Sequence, residues 1–195
     1  MDSKFIVVEG IDGAGTTTAS KALVAELCGM GVEAIWTKEP SGGVIGQHIR
    51  RILKGEDRAD ENSMFPLFLA DRHDHLCNIV RPELQSGNTV VCDRYAYSTW
   101  VYQQDNYDSS IIELMQKRCE APDYVFVLEC PVVVAMERIG KRDVVERYEI
   151  ECKQVEYAER YRFVPRIGRE KIIHLDSELN SPEDLVQMML QELGL

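Results

Sequence analysis

A three-layer α/β fold, with a parallel sheet between helices, is what this chain of 195 residues predicts. Three observations carry it. Short apolar runs alternate with stretches of helical spacing from end to end. The apolar runs are continuous, the mark of strands covered on both faces. A glycine-rich turn joins the first run to the first helix, where open parallel sheets receive ligands.

The elements follow in order. Residues 5–9 (FIVVE) form a first strand, stopped by Gly10. Residues 16–30 have helical spacing, with Ala22, Leu23, Leu27 and Met30 on one side and Gly29 and Gly31 at the stop. Residues 33–38 (EAIWTK) are a second strand before Pro40, and residues 46–54 a short helix ending near Gly55. Residues 63–84 form a longer helical region. Pro66 suits its first turn and Pro82 suggests a break or kink. Residues 89–92 (TVVC) are the third strand, 111–119 a helix and 124–129 (YVFVLE) the fourth strand. Helices are expected at 132–139 after Pro131 and at 144–161, where charge dominates. Residues 171–175 (KIIHL) are the fifth strand, and a helix at 182–193, capped by Ser181, closes the chain. No repeat or linker interrupts this order, so one domain over 1–195 is expected.

Composition narrows the function. A net charge of −11 disfavours nucleic acid and anionic membrane as partners. No apolar run nears the roughly 20 residues that span a bilayer. The opening MDSKFIVVEG lacks a signal-peptide layout, so a cytoplasmic location is expected. Six cysteines (28, 77, 92, 119, 130, 152) are scattered without C-x-x-C pairs, which fits buried, reduced thiols. His48, His73, His75 and His174 show no ligand spacing and are read as structural.

Residues 10–20 read GIDGAGTTTAS, one residue away from the phosphate-binding pattern G-x-x-x-x-G-K-[ST]. Gly10 and Gly15 have the right spacing, and Thr17 stands at the hydroxyl position. Thr16 occupies the lysine position. A glycine-rich turn without ligand is the other reading. The strand before and the helix after favour phosphate. Backbone amides and a helix N-terminus cradle an anion without needing a lysine.

Three further stretches carry chemistry. Asp93 and Arg94 follow the third strand, where an Asp suits Mg²⁺ and an Arg a phosphoryl group. Phe68 and Arg72 lie four apart on a helix. They suit a nucleobase, one stacking and the other reading an edge, although a core Phe beside a solvated Arg has the same spacing. Lys141, Arg142 and Arg147 concentrate positive charge between two helices. A basic lid and a solvated connector both fit that stretch.

Taken in order, FIVVEGIDGAGTTT, TKEPSGG, LFLADR, CDRYAYSTWVYQ, APDYVFVLEC and the ERYE loop resemble the thymidylate kinases, over roughly residues 4–190. The resemblance implies transfer of the ATP γ-phosphate to dTMP with Mg²⁺, and a P-loop fold with five parallel strands in the order 2-3-1-4-5. It implies donor phosphates on Gly10, Gly13, Ala14, Gly15, Thr16, Thr17 and Thr18, and Mg²⁺ near Thr17 and Asp93. Asp12 would contact the acceptor, and Glu39 belongs to the family's second loop. Arg50 and Arg94 would hold the acceptor phosphate. Phe68 would stack on thymine, Arg72 and Thr99 would lie at the base, and Tyr102 would crowd the sugar 2′ position. Residues 140–150 would form a lid carrying Lys141, Arg142 and Arg147, and adenine would pack near residues 176–182. A homodimer is also implied.

There are two departures. Trp100 is bulkier than the family pattern, which puts the base pocket in question. Thr16 removes a cation in a reaction that depends on charge stabilisation. Three consequences stay open: compensation by Lys141 and Arg142, a weakened kinase, or nucleotide binding without turnover. A kinase for another deoxynucleoside monophosphate is a further alternative.

Overall fold

The computed structural model describes residues 2–140 and 147–195. Its centre is a five-stranded parallel sheet: β1 (Phe5–Gly10), β2 (Ala34–Lys38), β3 (Thr89–Asp93), β4 (Tyr124–Glu129) and β5 (Lys171–Asp176). The order is β2-β3-β1-β4-β5, with every neighbouring pair parallel. Both the fold class and the strand order match the expectation. Burial on both faces holds fully for β1 and β3 and for most of β4; the edge strands β2 and β5 are partly exposed.

The helices are α1 (Thr16–Gly29), α2 (Val44–Leu53), α3 (Glu61–His75), α4 (Arg81–Gln85), α5 (Ala96–Gln103), α6 (Ser109–Gln116), α7 (Val132–Ile139), α8 (Glu151–Tyr161) and α9 (Pro182–Leu193). Helix α1 packs on α9 and on β1, β2 and β3, while α5 meets α3, α6, α8 and β1. The main core runs through β1, β3 and β4. A second, smaller cluster joins Ile49, Ile52 and Leu53 of α2 to Met64 of α3.

Five expectations need correction. The long helix starts at Glu61, where Asp60 accepts from the Asn62 amide at 2.9 Å. Pro66 therefore lies inside α3. Its missing N–H leaves the Asn62 carbonyl without a helical donor, and the Tyr107 hydroxyl donates to that carbonyl instead. At the far end Pro82 does not break the path, because the chain widens through a π turn (Leu76–Val80) into α4.

The helix expected at 144–161 begins only at Glu151; residues 141–146 lie outside the described part. The Arg147 amide is committed to the Leu53 carbonyl (3.0 Å), and Ile150 has extended dihedrals, so helix cannot reach back. Helix α5 was not anticipated at all. Finally, all six cysteines are free, but Cys28, Cys77 and Cys152 are exposed rather than buried.

Candidate active site

The carboxyl ends of β1, β2 and β3 open into a cavity of about 270 Å³. Its donor end is built from backbone. Gly10, Gly13 and Gly15 all have positive φ (157°, 84° and 95°). At Gly13 a Cβ would sit 2.4 Å from the Ala135 carbonyl oxygen, so a side chain is excluded on two counts. Helix α1 has no side-chain cap and no acidic residue in its first turn. Its leading amides and its dipole therefore face the cavity without a competing carboxylate of their own. Asp12, Gly13, Gly15, Thr16, Thr17 and Thr18 line this end; Gly10 and Ala14 shape the turn behind it.

Thr17 and Asp93 meet where expected: the Thr17 hydroxyl donates to Asp93 Oδ2. Asp93 Oδ1 is buried and has no partner among the described residues. An orphaned carboxylate oxygen beside a hydroxyl suits Mg²⁺, which takes few protein ligands and fills its shell with water and phosphate. Among the described residues no three His, Cys, Asp or Glu side chains cluster as a metal cage, in keeping with that sparse mode.

The acceptor end is built from side chains. Arg72 is fully buried, with Nε donating to Glu39 Oε2 (2.9 Å) and Nη2 donating to Thr99 Oγ1 (2.8 Å) while lying 2.7 Å from Glu39 Oε2 as an ion pair. Burial works against its charge, but the Glu39 carboxylate holds the guanidinium's pKa above its usual value. Arg72 Nη1 has no protein partner among the described residues. His75 closes the other side of Glu39, with Nδ1 3.2 Å from Oε1 and Nε2 2.6 Å from Thr37 Oγ1. The structural reading of His75 holds, and what it supports is the site. Phe68 is half-buried on the cavity wall, and the Arg50 guanidinium donates to the Pro40 carbonyl behind a cis Glu39–Pro40 bond.

Arg94 joins the two ends. It is the non-glycine residue with positive φ (70°) among those described, a costly backbone held by its contacts. Its Nη2 donates to Asp12 Oδ1 at 2.7 Å, and its Nη1 to Ser98, Tyr102 and Tyr161 hydroxyls at 3.2–3.3 Å. Tyr102 and Gln154 donate to the other Asp12 oxygen (3.2 and 3.1 Å).

Behind Arg94 lies Glu9, which the sequence presented only as a strand end. The Tyr95 and Ser98 amides donate to its Oε1 (2.7 and 3.2 Å), and the Ser98 and Tyr161 hydroxyls to its Oε2 (2.6 and 3.0 Å). Burial raises its pKa to about 7, and these hydrogen bonds and Arg94 only partly offset that. Ser98, Tyr161 and Gln154 were missed too. They come from helices far along the chain and bear no local signal.

One described residue falls elsewhere. Arg147 pairs with Glu61 and donates weakly to the Ala59 carbonyl, and it does not line the cavity, although Tyr148 and Glu149 do. Lys141 and Arg142 lie outside the described residues. Trp100 is on the face of α5 turned to the core; Ser98, Thr99, Tyr102 and Gln103 form the wall. Its bulk therefore does not narrow the cavity.

A glycine turn between the first strand and helix, a Thr–Asp pair beside it and buried arginines facing it across one cavity define the class of P-loop phosphotransferases. The thymidylate kinase family model matches residues 8–189. A probable thymidylate kinase of Methanocaldococcus jannaschii is 37% identical over 169 residues, covering 84% of this chain and 86% of its own length. The thymidylate kinase of Leptospira borgpetersenii is 33% identical over 191 residues, covering 96% and 91%. That of Pseudomonas fluorescens is 32% identical over 177 residues, covering 87% and 84%. This chain belongs to the thymidylate kinase family.

Proposed function

We propose that the chain transfers the γ-phosphoryl group of ATP to dTMP, giving ADP and dTDP. The observation that carries this is one cavity lined at one end by the glycine turn and at the other by the buried Arg72–Glu39 pair. In the step, the bond from the γ-phosphorus to the β–γ bridging oxygen breaks and that oxygen leaves with ADP. A bond forms to an oxygen of the dTMP phosphate.

Each part has a role. The amides of residues 13–18 hold the donor phosphates. Mg²⁺, held by Thr17 and Asp93, would neutralise charge on the β- and γ-phosphates. Arg94 and Arg50 bind the acceptor phosphate, and Asp12, fixed by Arg94, Tyr102 and Gln154, orients the acceptor. Phe68 stacks on thymine, with Arg72 and Thr99 at its edge. Tyr102, buried among Tyr148, Tyr157 and Tyr161, closes the space beside the sugar. Arg138 donates to the Gly13 and Ser177 carbonyls (3.2 and 3.1 Å), tying the phosphate turn to the 176–182 segment assigned to adenine.

The chain acts as one domain with residues 140–150 as its lid, as a cytoplasmic homodimer. Among the described residues no helix is long and apolar enough to cross a membrane. Release of ADP on adding dTMP to saturating Mg·ATP tests the assignment. A rate at background removes it, and a panel of monophosphates reads the base preference.

A further inference from the structure

With Thr16 where a phosphate loop carries lysine, a charge is missing from the donor end, and the structure offers a replacement on the neighbouring strand. Trp36 and Lys38 are two apart in β2 and share a face of the sheet. That face is turned to α1: Trp36 Nε1 donates to Ser20 Oγ at 2.9 Å, and Lys21 Nζ lies 4.6 Å from the Trp36 ring centre. Lys38 Nζ lies 5.9 Å from the same ring. Ser20 is one helical turn from Thr16 and Thr17, so Lys38, one pleat closer to the carboxyl end of β2, is set beside the first turn of α1.

The sheet register brings Lys38 to the right level. Lys38 pairs with Asp93 across β2 and β3, and Asp93 pairs with Val8 of β1, two residues before the glycine turn. Strands lie about 4.8 Å apart, so a four-carbon stem starting one strand from Asp93 reaches the Thr17–Asp93 pair. Lys38, Thr16, Thr17, Thr18 and Asp93 line one cavity.

We propose that Lys38 is a catalytic residue, its ammonium contacting the γ-phosphoryl group in the task a loop lysine would perform. The charge moves from the loop to the adjacent strand, and the net charge of the site is preserved. The inference rests on residues 10–18 being the donor-phosphate site.

The test is Lys38→Met, alone and combined with Thr16→Lys. Lys38→Met is expected to lower kcat about a hundredfold, in line with loss of a single transition-state donor. It should weaken a non-hydrolysable ATP analogue while leaving ADP affinity within about threefold, since ADP lacks the γ-phosphate. A structural role would weaken both. Adding Thr16→Lys should restore at least about tenfold of the lost rate. Lys38→Gln is the second variant should the methionine fold poorly, and the same numbers are expected. The proposal falls if a folded variant turns over within about threefold of the parent, or if Thr16→Lys restores nothing. Failure of the underlying site reading looks different: Thr17→Val would then leave Mg·ADP affinity untouched, however Lys38 behaves.

Discussion

The two ends of the cavity solve the same problem with different material. At the acceptor end, Arg72, Glu39, His75 and Thr99 lock one another through buried charged hydrogen bonds. At the donor end, glycines with positive φ present main-chain amides, and the side chains that matter are few: Thr17, Asp93 and, in the proposal above, Lys38. A side-chain site is as stable as its partners and fails when one is removed. A backbone site tolerates side-chain change, including Thr16, as long as its dihedrals survive. This is why a family member can lose the loop lysine and keep the loop.

The contrast is broken most severely at Arg72. Arg72→Met leaves Glu39 buried beside a neutral side chain, and the chain should lose about 3–5 kcal/mol of stability. Urea unfolding measures it; a loss under about 1 kcal/mol would mean that the buried Arg72–Glu39 pair does not hold this end of the cavity.

Glu9, at the junction of the two ends, comes next. Its folded pKa of about 7 lies above the ordinary 4.5, so between those values the folded state binds the proton more tightly than the unfolded state. Unfolding free energy should therefore fall as pH rises from 4.5 towards 7, by on the order of 3 kcal/mol, and the penalty vanishes below 4.5. Glu9→Gln cannot titrate and should flatten that part of the profile. An unchanged slope would show that the carboxylate is satisfied by its four donors.

Gly13→Ala tests the donor end directly. Its positive φ and the Ala135 carbonyl should together cost about 1–3 kcal/mol, felt as weaker ADP binding in calorimetry with dTMP affinity unchanged. Equal weakening of both would erase the distinction between the two ends. The smallest effect is expected at Trp100. Trp100→Phe should leave the KM for dTMP unchanged and cost under about 1.5 kcal/mol, because the ring faces the core.

What the sequence disclosed follows the same division. The glycine turn, the strands and Asp93–Arg94 were legible because each is a local pattern of spacing and period. The start of α8 was hidden because the Arg147 amide bonds to Leu53, ninety-odd positions earlier in the chain. Pro66 looked like a helix start because nothing near it announces Tyr107 as the donor to Asn62. Glu9, Ser98 and Tyr161 are unremarkable one by one and become a unit only when β1, α5 and α8 are assembled. Arg147 was placed at the phosphates by its neighbourhood in sequence, and its nearest acid, Glu61, lies on another helix.

Helix α5 has no cap of its own: Tyr95 precedes it without a side-chain bond, and two of the amides at its start are satisfied by Glu9 of β1. This helix is a dependent of the sheet. An excised peptide of residues 95–104 would lose the carboxylate that accepts from two of its leading amides, so the wall carrying Thr99 and Tyr102 depends on β1 for its start. The wall on this side of the cavity is thus anchored from the sheet and not from within its own helix.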